Sequence, residues 1–167
     1  MNDIIYIMGV SGSGKTTIGK LLSLKTGIPF FDGDDFHSAG NKAKMRSGKP
    51  LNDTDRKHWL EELNSLAIEH SMLKGAIIAC SALKEKYRTI LTKNIDQPKW
   101  IFLQGTYEVI HERMKEREHF MPARLLRSQF NDLEIPQFAF SIDIKNKAGE
   151  IIEMIMQHFY KRGIKIE

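Results

Sequence analysis

The 167-residue sequence has one cysteine, Cys80, so no internal disulfide can form and the fold must stand on its own core. A lone thiol fits a reducing compartment, and a cytoplasmic location is expected. No apolar run approaches the roughly 18 residues that cross a bilayer, so no membrane partner is expected. Residues 4–10 are apolar, but they open straight into Ser-Gly-Ser-Gly, which marks a buried strand and not a signal peptide. No long repeat, low-complexity tract or Pro/Gly/Ser linker divides the chain, and residues 1–167 are expected to form a single domain. Lys and Arg exceed Asp and Glu by 25 to 21, yet no run of five or six like charges occurs. An aromatic-rich strand suited to stacking bases is also missing, so no nucleic-acid partner is expected. The basic surplus then reads as a mildly basic surface or as a local anion-binding cleft, and the motifs favour the cleft.

What is there alternates between short apolar runs and amphipathic ones. The patterning predicts strands over residues 4–8, 29–32, 76–80, 100–103 and 138–144. Helices are expected over 15–25, 55–72, 83–92, 106–117 and 148–161. Residues 38–52 carry Gly40, Gly48 and Pro50 and read as loop, part of a substrate-binding excursion over about 36–72. A hinged, partly helical lid is expected over about 117–135. Repeated βα units imply an α/β fold, a parallel sheet with helices on both faces. Ligands of such sheets sit at the carboxyl ends of the strands, here just after Met8, Phe31, Cys80 and Leu103.

After the first strand stands Gly9-Val10-Ser11-Gly12-Ser13-Gly14-Lys15-Thr16, followed by Thr17. This is the pattern G-x-x-x-x-G-K-[ST] between a strand and a helix. Its glycines let successive backbone N–H groups point inward at phosphate oxygens, and the helix adds its positive end. Lys15 is expected on the β- and γ-phosphates of ATP and the Thr16 hydroxyl on Mg²⁺. The pattern names a nucleotide phosphate but no acceptor.

Around Phe31 lie Asp32, Asp34 and Asp35, with Asp32 and Asp34 on one face of an extended chain. One carboxylate could hold Mg²⁺ through water and another could deprotonate an attacking hydroxyl, or the group could be a polar turn with an Asp cap. Further on, Ser81 ends a strand, and Lys84 and Arg88 are four apart, placed on one helix face. Arg46, Asp55 and Arg56 lie in the polar excursion. Such residues would suit an acceptor with a carboxylate and several hydroxyls, although Asp53 could be only a helix cap and Lys84 and Arg88 only a solvated face. Arg113 and Arg117 also stand four apart and are expected to clamp ATP.

Together these blocks resemble the small P-loop gluconokinases. The resemblance rests on the phosphate loop, on Asp32-Gly33-Asp34-Asp35-Phe36-His37, and on residues 41–45 followed by Gly48. It continues through residues 50–56, Trp59-Leu60, residues 79–84, Tyr87-Arg88, residues 119–122, Ser128-Gln129-Phe130 and Leu133-Glu134. It spans about residues 4–136; the acidic block, the Ala-Cys-Ser-Ala-Leu-Lys block and the Ser-Gln-Phe block are the diagnostic parts, since the phosphate loop is shared by many kinases.

The resemblance implies a P-loop NTPase fold, a five-stranded parallel sheet like that of shikimate or nucleoside monophosphate kinases. It implies ATP-dependent phosphorylation of D-gluconate at its 6-hydroxyl, in a homodimer. It makes Asp34 the expected base, with Asp32 or Asp35 near Mg²⁺, and His37, Arg46, Arg56, Ser81, Lys84 and Arg88 the expected grips on gluconate. Two other readings stand beside it: a kinase of another sugar acid or of shikimate, and a nucleotide-dependent binding module without catalysis.

Overall fold

The computed structural model describes residues 2–116 and 122–160. Its strands are β1 (Ile4–Met8), β2 (Phe30–Asp32), β3 (Ala76–Ala79), β4 (Lys99–Gln104) and β5 (Phe140–Asp143). Its helices are α1 (Lys15–Thr26), α2 (Ala39–Arg46), α3 (Asp53–Ser71), α4 (Glu85–Leu91), α5 (Tyr107–Lys115), α6 (Ala123–Asp132) and α7 (Ala148–Phe159), with a 3-10 turn over Gly33–Phe36. The five strands form one parallel sheet in the order β2-β3-β1-β4-β5. Among the described residues no helix is long and apolar enough to cross a membrane.

β1 sits at the centre, and all five of its residues are buried. That is why its sequence is continuously apolar and does not alternate: both sheet faces are covered. Ile5 and Ile7 face one core, with Ile18 and Leu22 of α1, Ile110 and Met114 of α5, Leu126 of α6 and Ile151 and Ile155 of α7. Ile4, Tyr6 and Met8 face the other, with Trp59, Leu60, Leu63 and Ala67 of α3 and Leu91 of α4. Each such aliphatic side chain, fully buried, contributes roughly 1.5–3 kcal/mol. Two polar side chains that reach into this second core are paired. Tyr6 donates to the Leu91 carbonyl at 2.6 Å, and Asn64 Nδ2 donates to the carbonyls of Leu91 and Lys93.

Three elements differ from the expected pattern. Residues 39–46 form α2 where loop is expected; Ser38 caps it by accepting the Asn41 N–H, and Gly48, at φ 79°, follows its end. Helix α3 begins at Asp53, because Asn52 and Asp55 form a reciprocal capping box. Helix α4 begins only at Glu85, which leaves Lys84 extended at φ −103° and ψ 146°. The expected common helix face for Lys84 and Arg88 is therefore not formed.

Candidate active site

The loop after β1 curls because its glycines occupy backbone and space that other residues cannot. A Cβ on Gly9 would fall 2.8 Å from the Leu103 carbonyl, and one on Gly12 would fall 2.7 Å from Met114 Cγ. Gly14, at φ 97°, has nothing within 4 Å of its missing Cβ, so the loop stays open there. The Ser13 N–H donates to Val10 O at 3.2 Å and closes the turn, and Lys15 Nζ reaches back to Val10 O at 3.0 Å. The loop's amides, Lys15 and the N-terminus of α1 thus stand together, the set of groups that binds phosphate. Ser13 Oγ is buried with no hydrogen-bond partner.

The acidic turn lies beside this loop. Thr16 Oγ1 donates to Asp32 Oδ2 at 2.6 Å, while Asp32 Oδ1 accepts the Asp34 N–H at 3.1 Å. Asp32 therefore caps the turn and faces the phosphate loop at once. Gly33 is obligatory, since its Cβ would stand 2.4 Å from the Ala79 carbonyl. Trp59 Nε1 donates to Gly33 O at 2.7 Å and fixes the turn on α3.

Asp34 is exposed, yet its carboxyl is held above its ordinary value. Crowding by the surrounding protein is the main cause; Lys15 opposes it, and the neighbouring Asp32 and Asp35 add to it. His37 is buried and stacks on Trp59 at 4.0 Å between ring centroids. Burial, helped by the charges of Arg56 and Lys42, pushes its imidazole down to about 4. A cleft of about 380 Å³ opens here, lined in part by Asp35, His37, Asn41, Asp55 and Trp59.

Among the residues expected to grip the acceptor, Ser81 leaves β3 half-buried, and the neighbouring buried Ala82 takes a left-handed backbone at φ 46°. Arg88 is only 4% exposed, and its Nη1 donates to Ala82 O at 2.8 Å and to Leu83 O at 3.2 Å. It holds this unusual turn from beneath, where the sequence pattern suggests a grip on ligand. Arg56 donates to the Tyr87 hydroxyl at 3.1 Å, and Tyr87 and Lys86 both donate to Asp53. Lys84 pairs with Asp53 at 3.7 Å and Asp132 at 3.5 Å. Asp55 is the third residue of α3, forms the capping box with Asn52 and also pairs with Lys44 at 2.6 Å. Arg46 is exposed at the end of α2.

Arg113, expected on ATP, donates to the Ile144 carbonyl. Arg117, with His119, Phe120 and Met121, lies outside the described residues. One contact has no counterpart in the expected site: Gln129 of α6 bonds both the backbone and the side chain of Ser11. A signal for it exists, because an amide sits within the apolar series Leu125, Leu126, Phe130 and Leu133 of an amphipathic helix. Among the described residues no group of three or more His, Cys, Asp or Glu side chains could hold a metal ion. A cation beside Thr16 and Asp32 would thus need oxygens supplied by a ligand.

A phosphate loop on the central strand of a 2-3-1-4-5 parallel sheet, with a carboxylate turn beside it, defines a P-loop phosphotransferase. Residues 11–157 match the family model described as Shikimate kinase. A probable gluconokinase of Dictyostelium discoideum is 46% identical, covering 93% of this chain and 85% of that one. The thermosensitive gluconokinase of Escherichia coli K12 is 43% identical, covering 90% and 84%. The crystal structure of a gluconokinase from Sinorhizobium meliloti 1021 superposes with a TM-score of 0.84 at 32% identity, covering 98% of both chains. The chain belongs to the gluconokinase family of shikimate-kinase-like enzymes.

Proposed function

We propose that this protein phosphorylates D-gluconate with ATP, giving 6-phospho-D-gluconate and ADP. The observation that carries this reading is the adjacency of the glycine-built anion loop to the Asp32–Asp34 turn, bridged by the Thr16–Asp32 hydrogen bond. The backbone N–H groups of residues 9–17 (Gly9, Val10, Ser11, Gly12, Ser13, Gly14, Lys15, Thr16 and Thr17) surround the triphosphate, and Lys15 turns from Val10 O to the β- and γ-phosphates. Thr16 and Asp32, with Asp35 nearby, would hold Mg²⁺, which supplies charge neutralisation between the β- and γ-phosphates. The donor chemistry fits, being a hydroxyl and carboxylates with the remaining oxygens left to the nucleotide.

Asp34 accepts the proton of the 6-hydroxyl as that oxygen forms its bond to the γ-phosphorus. The bond from that phosphorus to the β–γ bridging oxygen breaks, and ADP leaves with the electron pair. A base with a raised proton affinity is better matched to an alcohol than an ordinary carboxylate is. His37, Arg46, Asp55, Arg56, Ser81 and Lys84 face or flank the acceptor space and orient the sugar acid. Arg88 serves that space indirectly, through the Ser81-Ala82-Leu83 turn it holds. Arg113 and Arg117 belong to the nucleotide side. A homodimer in the cytoplasm completes the reading, the single free and buried Cys80 fitting a reducing setting.

The test is a panel of acids assayed with MgATP by ADP release. Gluconate is expected to drive turnover well above the acid-free rate, with the product carrying phosphate on its terminal hydroxyl. Turnover with shikimate and not with gluconate would overturn the assignment of acceptor.

A further inference from the structure

Ser128-Gln129-Phe130 takes no part in the chemistry above, yet Gln129 touches the phosphate loop directly. Its Oε1 accepts the Ser11 backbone N–H at 2.7 Å, and its Nε2 donates to Ser11 Oγ at 3.1 Å, across 118 positions of sequence. Gln129 is carried on a seated helix. Leu125 and Leu126 of α6 are buried, and Phe130 packs edge-on against Tyr107 with ring centroids 5.7 Å apart. Just beyond α6, the Glu134 N–H donates to Leu83 O at 2.8 Å, and Glu134 Oε2 accepts the Glu85 N–H at 2.7 Å. One short segment therefore grips the phosphate loop at one end and the turn after β3 at the other.

The loop needs such a tether. Gly9, Gly12 and Gly14 all stand at positive φ, so the loop is free to adopt many other shapes, and ordering it costs conformational entropy. A carboxamide is suited to the task, since it accepts from the amide and donates to the hydroxyl of the same residue.

We propose that Gln129 is a positioning residue that holds the outer turn of the phosphate loop in its nucleotide-ready shape, and that α6 and Glu134 set that loop at a fixed separation from the acceptor turn. This rests on the nucleotide and acceptor sites described above. With the loop pre-shaped, less ordering is left for the nucleotide to impose on binding.

The experiment compares wild type with Gln129→Ala and with Gln129→Met, which keeps the side chain's length but makes no such hydrogen bonds. MgATP and gluconate are varied separately, and thermal unfolding is followed alongside. Both variants are expected to raise the KM for ATP at least about threefold, since each removes two hydrogen bonds, with the KM for gluconate and the unfolding midpoint unchanged. Glu134→Ala should raise the KM for gluconate instead, and Glu134→Gln, which keeps an acceptor oxygen for the Glu85 N–H, should not. An ATP KM within about twofold of wild type in both Gln129 variants would overturn the proposal. So would a parallel rise in both KM values with a falling midpoint, the mark of a merely structural role. If wild type failed to turn over gluconate, the assigned acceptor would fall and this proposal would not. Its test would then pass to MgATP dissociation constants measured by calorimetry, with the same fold-changes expected.

Discussion

At the residue scale, charge and burial decide which side chains carry chemistry. Asp34 is crowded enough to hold its proton more tightly than a free carboxylate and lies within the field of Lys15. In the proposed role of base it must be ionised, so the acid limb of the pH profile of kcat/KM should be shifted upward from that of an ordinary carboxylate. Asp34→Asn should lower kcat by roughly 10²- to 10⁴-fold, the usual worth of a positioned base, and leave folding intact. Turnover in that variant equal to wild type would remove Asp34 from the role. His37 makes a different prediction. Its imidazole takes a proton near 6.5 in an unfolded chain but only near 4 here, so protons favour the unfolded state between those values. The stabilisation it gives is complete above about 6.5 and is lost as pH falls toward 4, by at most about 3 kcal/mol. Urea titrations at neutral pH and near pH 4.5 should show this loss in wild type and a smaller one in His37→Phe; equal losses in both would contradict the assignment. Gly9, Lys15 and Thr16 are legible as a phosphate loop because spacing along the chain fixes them, whereas spacing does not single out one carboxylate among Asp32, Asp34 and Asp35. The occupation of Arg88 is not legible either, since a helical spacing cannot say whether a guanidinium points at a ligand or at the carbonyls of its own preceding turn.

At the element scale, the helices that pack on the sheet are legible and the one that does not is missed. α1, α5 and α7 bury apolar stripes, and periodicity finds them. α2 buries no residue, so it has no stripe to find; only its Ser38 cap and the following Gly48 mark it. The start of α3 is set by a reciprocal pair of hydrogen bonds between Asn52 and Asp55 and not by the first apolar residue. Asn52→Ala should cost about 1 kcal/mol in urea unfolding, and Asn52→Ser, which can still cap, much less. Equal costs for the two would mean that the cap is not what holds this end. The start also matters to the site, because Asp55 and Arg56 stand in the first turn of α3 and Trp59, one turn on, secures Gly33.

At the scale of the whole molecule, strand order was beyond the sequence, though the parallel α/β class was within it. Short apolar runs between amphipathic helices imply parallel strands, but nothing in a run such as residues 76–79 says that it lies beside β1. The order β2-β3-β1-β4-β5 puts the ends of β1 and β3 side by side, and β2 next to β3. That arrangement carries the phosphate loop, the acidic turn and the Ser81 turn to one edge of the sheet. The account rests on this edge being a built receptor for a nucleotide's phosphates. Calorimetric titration of the purified protein with MgATP tests it most directly. One site per chain is expected in wild type, with Lys15→Ala weakening binding by at least about tenfold, as loss of a charge-assisted contact would. Absence of MgATP binding by the folded wild-type protein, or binding untouched by Lys15→Ala, would contradict the account.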